Sequence, residues 1–201
     1  MFRLIESIRI ENGEPQLLEF HQKRLNKAFK HLFNGVGEIN IAELLANQKL
    51  PQSGTYKFRL LYNRDKHDFE MIPYSTPKIN SLILIKDDDL YYPYKYEKRS
   101  ALDRHKVKCE EEQDFIIVRK GLLTDGYFYN IVLIDKSKKA KVTPKDPLLK
   151  GVMRENLLKK REISLANITV KDLKKFSEIH LINALNPLGK IVVPVESIKI
   201  S

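Results

Sequence analysis

The sequence predicts an α+β protein of two lobes built mostly on antiparallel sheets, and three observations predict it. Short apolar stretches recur along the 201 residues between turn pairs such as Asn12-Gly13 and Lys120-Gly121, the pattern of strands joined by tight turns. Helical spacing of apolar residues is confined to a few separate segments, so the regular helical crossovers of a parallel sheet are not expected. The acidic run Asp87-Asp88-Asp89, followed by Tyr91, Tyr92, Pro93 and Tyr94, shifts the composition abruptly. The lobe boundary is placed there, giving an N-terminal α+β lobe of residues 1–88 and a C-terminal α+β lobe of residues 89–201.

Residues 2–10 mix apolar and charged residues in near alternation, as a first strand does, and Asn12-Gly13 turns it back so that Leu17-Leu18 begins the return. From Phe20 to Phe33 the apolar residues Leu25, Ala28, Phe29 and Leu32 fall at helical spacing, which puts His21, Gln22, Lys23 and Arg24 in the first turns of an amphipathic helix closed by Asn34-Gly35. A shorter helix is expected over Ile41–Asn47, then a loop at Pro51, Ser53 and Gly54. Tyr56–Tyr62 and Phe69–Ile72 read as strands joined at Asn63-Arg64-Asp65, and Leu82–Ile85 as a further strand. A helix near Lys98 carries Leu102. Phe115–Val118 and Tyr127–Ile134 are expected to pair as strands, a helix to span Leu149–Lys160, Thr169 to cap a short helix, and Ile179–Ile182 and Ile191–Val193 to finish the lobe.

Composition narrows the function classes. The chain carries 42% hydrophobic and 31% charged residues, and no apolar run reaches the ~20 residues that span a bilayer. Glu6 interrupts the first apolar stretch, so the start does not read as a secretory signal; the single Cys109 excludes an internal disulfide framework and fits a reducing compartment, the cytoplasm. The formal charge of +10 is spread among acids, as in Lys106-Val107-Lys108-Cys109-Glu110-Glu111-Glu112, and lacks a stacking platform beside it. A nucleic-acid partner is therefore not expected, whereas an anionic small molecule is favoured by the positive field. His31, His67, His105 and His180 have no metal-ligand spacing with Cys109, Gly35-Val36-Gly37 lacks the third glycine of a dinucleotide fingerprint, and there is no Gly-x-Ser-x-Gly elbow.

Lys95 is the first candidate for chemistry. Three tyrosines and a proline just before it suggest a semi-rigid, partly apolar pocket, in which desolvation lowers an amine pKa and makes it nucleophilic. Asp125, thirty positions later and followed by Gly126, reads by itself as an ordinary turn carboxylate. Four segments in order change that reading: His21-Gln22-Lys23-Arg24-Leu25, Tyr94-Lys95, Leu123-Thr124-Asp125-Gly126 with Asn130, and Gly151-Val152-Met153-Arg154, with Asn183-Ala184-Leu185-Asn186-Pro187 behind them. Together they resemble the class IV aminotransferase family of pyridoxal 5′-phosphate (PLP) enzymes, of fold type IV (D-amino acid aminotransferase-like), in a short bacterial subgroup similar to aminodeoxychorismate lyase.

The resemblance implies a role for each residue. Lys95 matches the Schiff-base lysine and Asp125 the acid that keeps the cofactor's pyridine nitrogen protonated, where many relatives carry glutamate. Asn130 matches the asparagine that fixes the following loop. Arg24 matches the arginine of a His-x-x-Arg-Leu helix that reaches the cofactor phosphate; the amides of Gly151, Val152 and Met153 and the side chain of Asn183 match its other phosphate contacts. Arg59, Arg64 and Arg99 are candidates for a substrate carboxylate, with Arg59 and Arg99 preferred. Longer relatives begin with an extra segment before the strand at Phe2–Ile10, which helps form the substrate side. The implied activity is that of a 4-amino-4-deoxychorismate lyase releasing pyruvate to give 4-aminobenzoate, with a branched-chain or D-amino acid type transaminase as the alternative. More distant alternatives are a PLP-binding protein without turnover and a nucleic-acid-binding protein. A homodimer is expected on the same basis.

Overall fold

The computed structural model describes residues 2–35 and 39–200. Part of Gly35-Val36-Gly37 lies outside the described residues. The chain divides into two compact units, one made of residues 1–75 with 94–98, the other of residues 76–93 with 99–201. The sequence expectation put one boundary after residue 88; in the structure the strand before it goes with the second unit and a short piece beyond it returns to the first.

The first unit is a four-stranded antiparallel sheet, ordered β2-β1-β3-β4, with two helices. Strand β1 (Leu4–Glu11) turns at Asn12 and Gly13, both with positive φ, into β2 (Glu14–Pro15). Such a turn matches the twist of a two-residue hairpin. The return is thus at Glu14–Pro15 and not at Leu17-Leu18: Leu17 takes a left-handed conformation and starts helix α1 (Leu18–Leu32). Glu19 in its first turn and Lys30 and His31 in its last suit the helix dipole. Helix α2 (Ile41–Ala46) is capped by Asn40, whose side chain accepts from the amides of Ala42 and Glu43. Strands β3 (Thr55–Tyr62) and β4 (His67–Pro73) form the second hairpin. Leu4, Ile8 and Ile10 of β1 and Phe58, Leu60 and Tyr62 of β3 pack against Leu25, Ala28 and Phe29 of α1 and Ile41 and Leu45 of α2. Residues Tyr94–Lys98 join this unit because they run beside the start of β1: the Ile5 amide donates to the Lys95 carbonyl at 2.9 Å and the Glu97 amide to the Arg3 carbonyl at 2.9 Å.

The second unit holds two sheets. In the first, β5 (Ser81–Lys86) pairs in parallel with β6 (Gln113–Arg119), and helix α3 (Ser100–Lys106) lies between them in sequence. This parallel pair was not expected from the turn signals. Strand β6 is buried along nearly its whole length, the mark of a strand covered on both faces. It turns at Lys120-Gly121 into β7 (Leu122–Leu123). The expected partner, Tyr127–Ile134, goes elsewhere: β8 (Asn130–Asp135) joins β9 (Lys141–Pro144) and, further along the chain, β10 (Ser164–Ala166), β11 (Phe176–Ile182) and β12 (Val192–Pro194) in a five-stranded sheet ordered β10-β9-β8-β11-β12. Helix α4 (Val152–Lys159) begins later than expected because Gly151 is still extended, and β13 (Ile198–Ile200) pairs in parallel with β5. Thr169 caps the 3-10 turn Val170–Lys175 with Asp172 answering in a capping box. Leu82, Leu84, Ile116, Ile131, Leu133, Ile179 and Leu181 form the centre of the core.

Candidate active site

The sequence-derived residues fall into two clusters, one in each unit. In the first unit, α1 presents His21 and Arg24 to β1, where Glu6 projects on the same face as Leu4, Ile8 and Ile10 and is fully buried. Arg24 Nε donates to Glu6 Oε1 at 2.8 Å, Arg24 Nη2 to Oε2 at 2.5 Å, and His21 Nδ1 lies 2.5 Å from Oε2. Burial by itself would raise the Glu6 pKa, but the Arg24 charge and the hydrogen bonds from His21 and Arg24 outweigh it and hold the carboxyl down at about 2. Burial lowers the His21 pKa more than Glu6 restores it. Lys95 is half-buried in the same unit, fixed through its backbone beside Ile5, and its charge is felt at His21. Glu6 is a residue that sequence reading missed. The signal was present: it is the one acid in phase with the apolar positions of β1.

In the second unit Asp125 ends the segment after β7 and is 4% exposed. Asn130, at the start of β8, donates from Nδ2 to Asp125 Oδ1 at 2.8 Å and to the Leu149 carbonyl at 2.8 Å, while the Leu149 amide donates to Asp125 Oδ2 at 2.8 Å. Burial dominates and pushes the Asp125 pKa up to about 6, against the pull of the Leu149 and Asn130 hydrogen bonds and the more distant Arg154 charge. Its bonded partners among the described residues are neutral N–H groups, so the carboxylate charge is solvated there by dipoles and not by a contacting cation.

Gly151 has an ordinary backbone conformation, φ −73° and ψ 146°. A glycine is required there for space: its amide donates to Asn130 Oδ1 at 3.1 Å, and an added Cβ would lie 2.0 Å from that oxygen. Among the described residues no side chain caps α4, so Val152 and Met153 open the helix with the amides of an uncapped N-terminus. Arg154 is buried and donates from Nη2 to the Pro144 carbonyl at 2.9 Å, a tie between α4 and the end of β9.

Asn183 lies in a turn that its own side chain builds. Its Oδ1 accepts from the amides of Leu185 and Asn186, each at 2.9 Å, and its Nδ2 donates to the Phe128 carbonyl at 3.3 Å. Arg99, which precedes α3, has its guanidinium over the rings of Phe128, Tyr127 and Tyr92 at 4.4, 5.1 and 5.5 Å, with Nη1 donating to the Tyr127 carbonyl at 2.9 Å and Nε to Tyr92 Oη at 3.2 Å. The Tyr127 phenol donates to Asp103 at 2.5 Å, and burial with that bond pushes its pKa up to about 12. Arg59 of β3 is paired across the hairpin with Glu70 at 2.7 Å. Arg64 is exposed in the turn that follows. Among the described residues no group of three or more His, Cys, Asp or Glu side chains could hold a metal ion, and no helix is long and apolar enough to cross a membrane.

Residues 97–198 match the family model for class IV amino-transferases, a span that contains Asp125, Asn130, Gly151 and Asn183. The structure resembles that of a provisionally named 4-amino-4-deoxychorismate lyase from Haemophilus somnus 129pt, 27% identical, with a TM-score of 0.84 over 94% of this chain and 98% of that one. It also resembles a provisionally named amino-acid aminotransferase from Mesorhizobium loti, 21% identical, with a TM-score of 0.78 over the whole of both chains. An aminotransferase from Brucella abortus bound to the cofactor PLP is 16% identical, with a TM-score of 0.70 over 98% of this chain and 81% of that one. The last two likenesses concern the fold.

Proposed function

The chain belongs to the class IV amino-transferase family and is an enzyme of that family, and on that premise we propose that it uses PLP to act as a 4-amino-4-deoxychorismate lyase. Asp125 carries the cofactor reading. A buried carboxyl raised to about 6, bonded only to neutral donors, is stabilised by a cationic N–H brought against it, and a protonated pyridine nitrogen is such a group. The uncapped start of α4 fits a phosphate equally well. The residues present therefore fit PLP.

When bound, PLP supplies an aldehyde that takes up an amine and a ring that withdraws electrons from the neighbouring carbon. Lys95 Nζ would hold the aldehyde carbon before substrate arrives and afterwards serve as acid and base. In the lyase reaction it takes the proton from the amine-bearing ring carbon. The bond from the neighbouring carbon to the enolpyruvyl oxygen breaks, and a proton returned to the enolpyruvate completes pyruvate and leaves 4-aminobenzoate. Asp125 acts through its charge, Asn130 keeps Asp125 in place, and Arg24, the amides of Val152 and Met153, and Asn183 anchor the phosphate; the Gly151 amide, which the resemblance also implied, is already taken by Asn130 Oδ1. Arg99 is the better choice than Arg59 for the substrate carboxylate. Its Nε and Nη1 are bonded to the neutral oxygens of Tyr92 and Tyr127, so its charge is not matched by an acid in contact among the described residues, while Arg59 is already matched by Glu70.

Lyase is favoured by Asn183-Ala184-Leu185 and by the name of the 27% identical relative. Transamination is the second reading, supported by the name given to the Mesorhizobium loti protein, which this chain matches over its full length. Here Lys95 would shift a proton between the amino acid's Cα and the cofactor. We further propose a cytoplasmic homodimer acting on a small anionic amino substrate, in keeping with the single half-buried Cys109. An absorption band of bound PLP in the purified protein, followed by pyruvate release from 4-amino-4-deoxychorismate beside a screen of amino donors, tests these assignments. Absence of both products with cofactor bound would sink them.

A further inference from the structure

Glu6 is a buried acid to which the proposed chemistry gives no task. Its carboxylate would be costly on the inner face of β1 if it were unpartnered. It receives instead two parallel hydrogen bonds from one guanidinium, Arg24 Nε at 2.8 Å and Nη2 at 2.5 Å, and one from His21 Nδ1 at 2.5 Å. A two-point contact between planar groups fixes the plane and the direction of an arginine as a single contact cannot. His21 secures the acid in turn. A carboxylate only accepts, so the imidazole proton lies on Nδ1, and among the described residues His21 Nε2 is buried without a hydrogen-bond partner.

We propose that Glu6 is a positioning residue that aims Arg24 at the cofactor phosphate, an inference that rests on the reading of Arg24 as a phosphate anchor. Charge alone would argue against such a neighbour. A carboxylate in contact with Arg24 cancels much of the positive field offered to a phosphate dianion, so an arginine needed only for charge would be better without it. Direction is what the arrangement supplies. The two effects have opposite signs when Glu6 is neutralised, which makes them separable.

The test is the ratio of the dissociation constants of pyridoxal and PLP, measured by titrating the full chain freed of cofactor; the phosphate is the only difference between the two ligands. Arg24→Ala should lower this preference for PLP by about 10- to 100-fold, the worth of a charge-assisted contact. Glu6→Gln should lower it by about tenfold even though a negative charge has been removed, because the amide cannot accept from both guanidinium nitrogens. Arg24→Lys, which keeps the charge without the two-point contact, should fall nearly as far as Arg24→Ala, and it decides the matter if Glu6→Gln does not fold. An unchanged ratio in Arg24→Ala removes Arg24 from the phosphate and overturns both the anchor and its positioning. A reduced ratio in Arg24→Ala with an unchanged or increased one in Glu6→Gln overturns the role of Glu6 alone, as does a wild-type ratio in Arg24→Lys. A Glu6 that served only stability would weaken both ligands together and leave the ratio where it was.

Discussion

Asn130 and Gly151 are matched by contact: the asparagine Oδ1 takes the Gly151 amide at 3.1 Å and occupies the space in which any other residue at 151 would put its Cβ. Because φ is −73°, alanine could adopt the backbone, and its cost is purely steric. Gly151→Ala should destabilise the protein by about 1–3 kcal/mol in urea unfolding. Combining it with Asn130→Ala should cost clearly less than the sum of the two single changes, since the clash is then gone. Additive losses would show that the contact is not the reason for the glycine.

Asp125 makes the cofactor-free protein sensitive to pH. Its folded pKa of about 6 lies above the ordinary 3.8, so the folded state holds the proton more tightly. Stability from this group is present at low pH and is lost as pH rises from about 4 to about 6, a change of about 3 kcal/mol for a fully buried carboxyl. Glu6 behaves oppositely, with a pKa held at about 2, and its contribution is complete above about 4.5. Unfolding of wild type and Asp125→Asn, followed between pH 4.5 and 7.5 without cofactor, isolates Asp125. The difference between the two should move in favour of the variant as pH rises, and parallel curves would remove the acid from this role.

Lys95→Ala should abolish the borohydride-reducible link to PLP while leaving the fold intact. Its segment is held by the carbonyl of residue 95 and the amide of Glu97, both of which alanine leaves in place. Turnover should drop by at least about 10²- to 10⁴-fold, the ordinary worth of a positioned acid–base. A reducible link that survives would point to another lysine.

Arg99→Lys should raise KM for the anionic substrate by about tenfold, because one ammonium nitrogen cannot reproduce the planar fork that is held by Tyr92 and Tyr127 through two separate nitrogens. Melting temperature separates the alternatives. If Arg99 only braces the Tyr127–Phe128 turn, the variant melts earlier and KM stays where it was.

Local pattern carried much of the fold. The spacing of Leu25, Ala28 and Phe29 gave α1, Asn12-Gly13 gave the first hairpin, and Thr169 gave the late cap, because each depends on neighbours a few residues away. Strand partners were less legible. Tyr127–Ile134 has the alternation of a strand, but nothing local tells Asn130–Asp135 to pair with Phe176–Ile182 more than forty residues on and not with the nearby Phe115–Val118. In the site, Asp125, Asn130 and Gly151 could be listed from the order of motifs, yet the reason for the glycine lay in a contact across twenty-one positions. Glu6 announced its burial by its phase within β1, but its partners His21 and Arg24 are on another element and were not legible.

The return of Tyr94–Lys98 to the first unit makes the two units discontinuous, so neither is a contiguous stretch of sequence. On the ribosome, residues 1–75 emerge without the strip that lines the start of β1, and the first unit is finished only after β5 of the second has been made. A cut at the lobe boundary that composition suggests would leave the lysine on the wrong fragment. Dissecting the protein therefore calls for circular permutation or for two co-expressed pieces that recombine, in place of simple truncation.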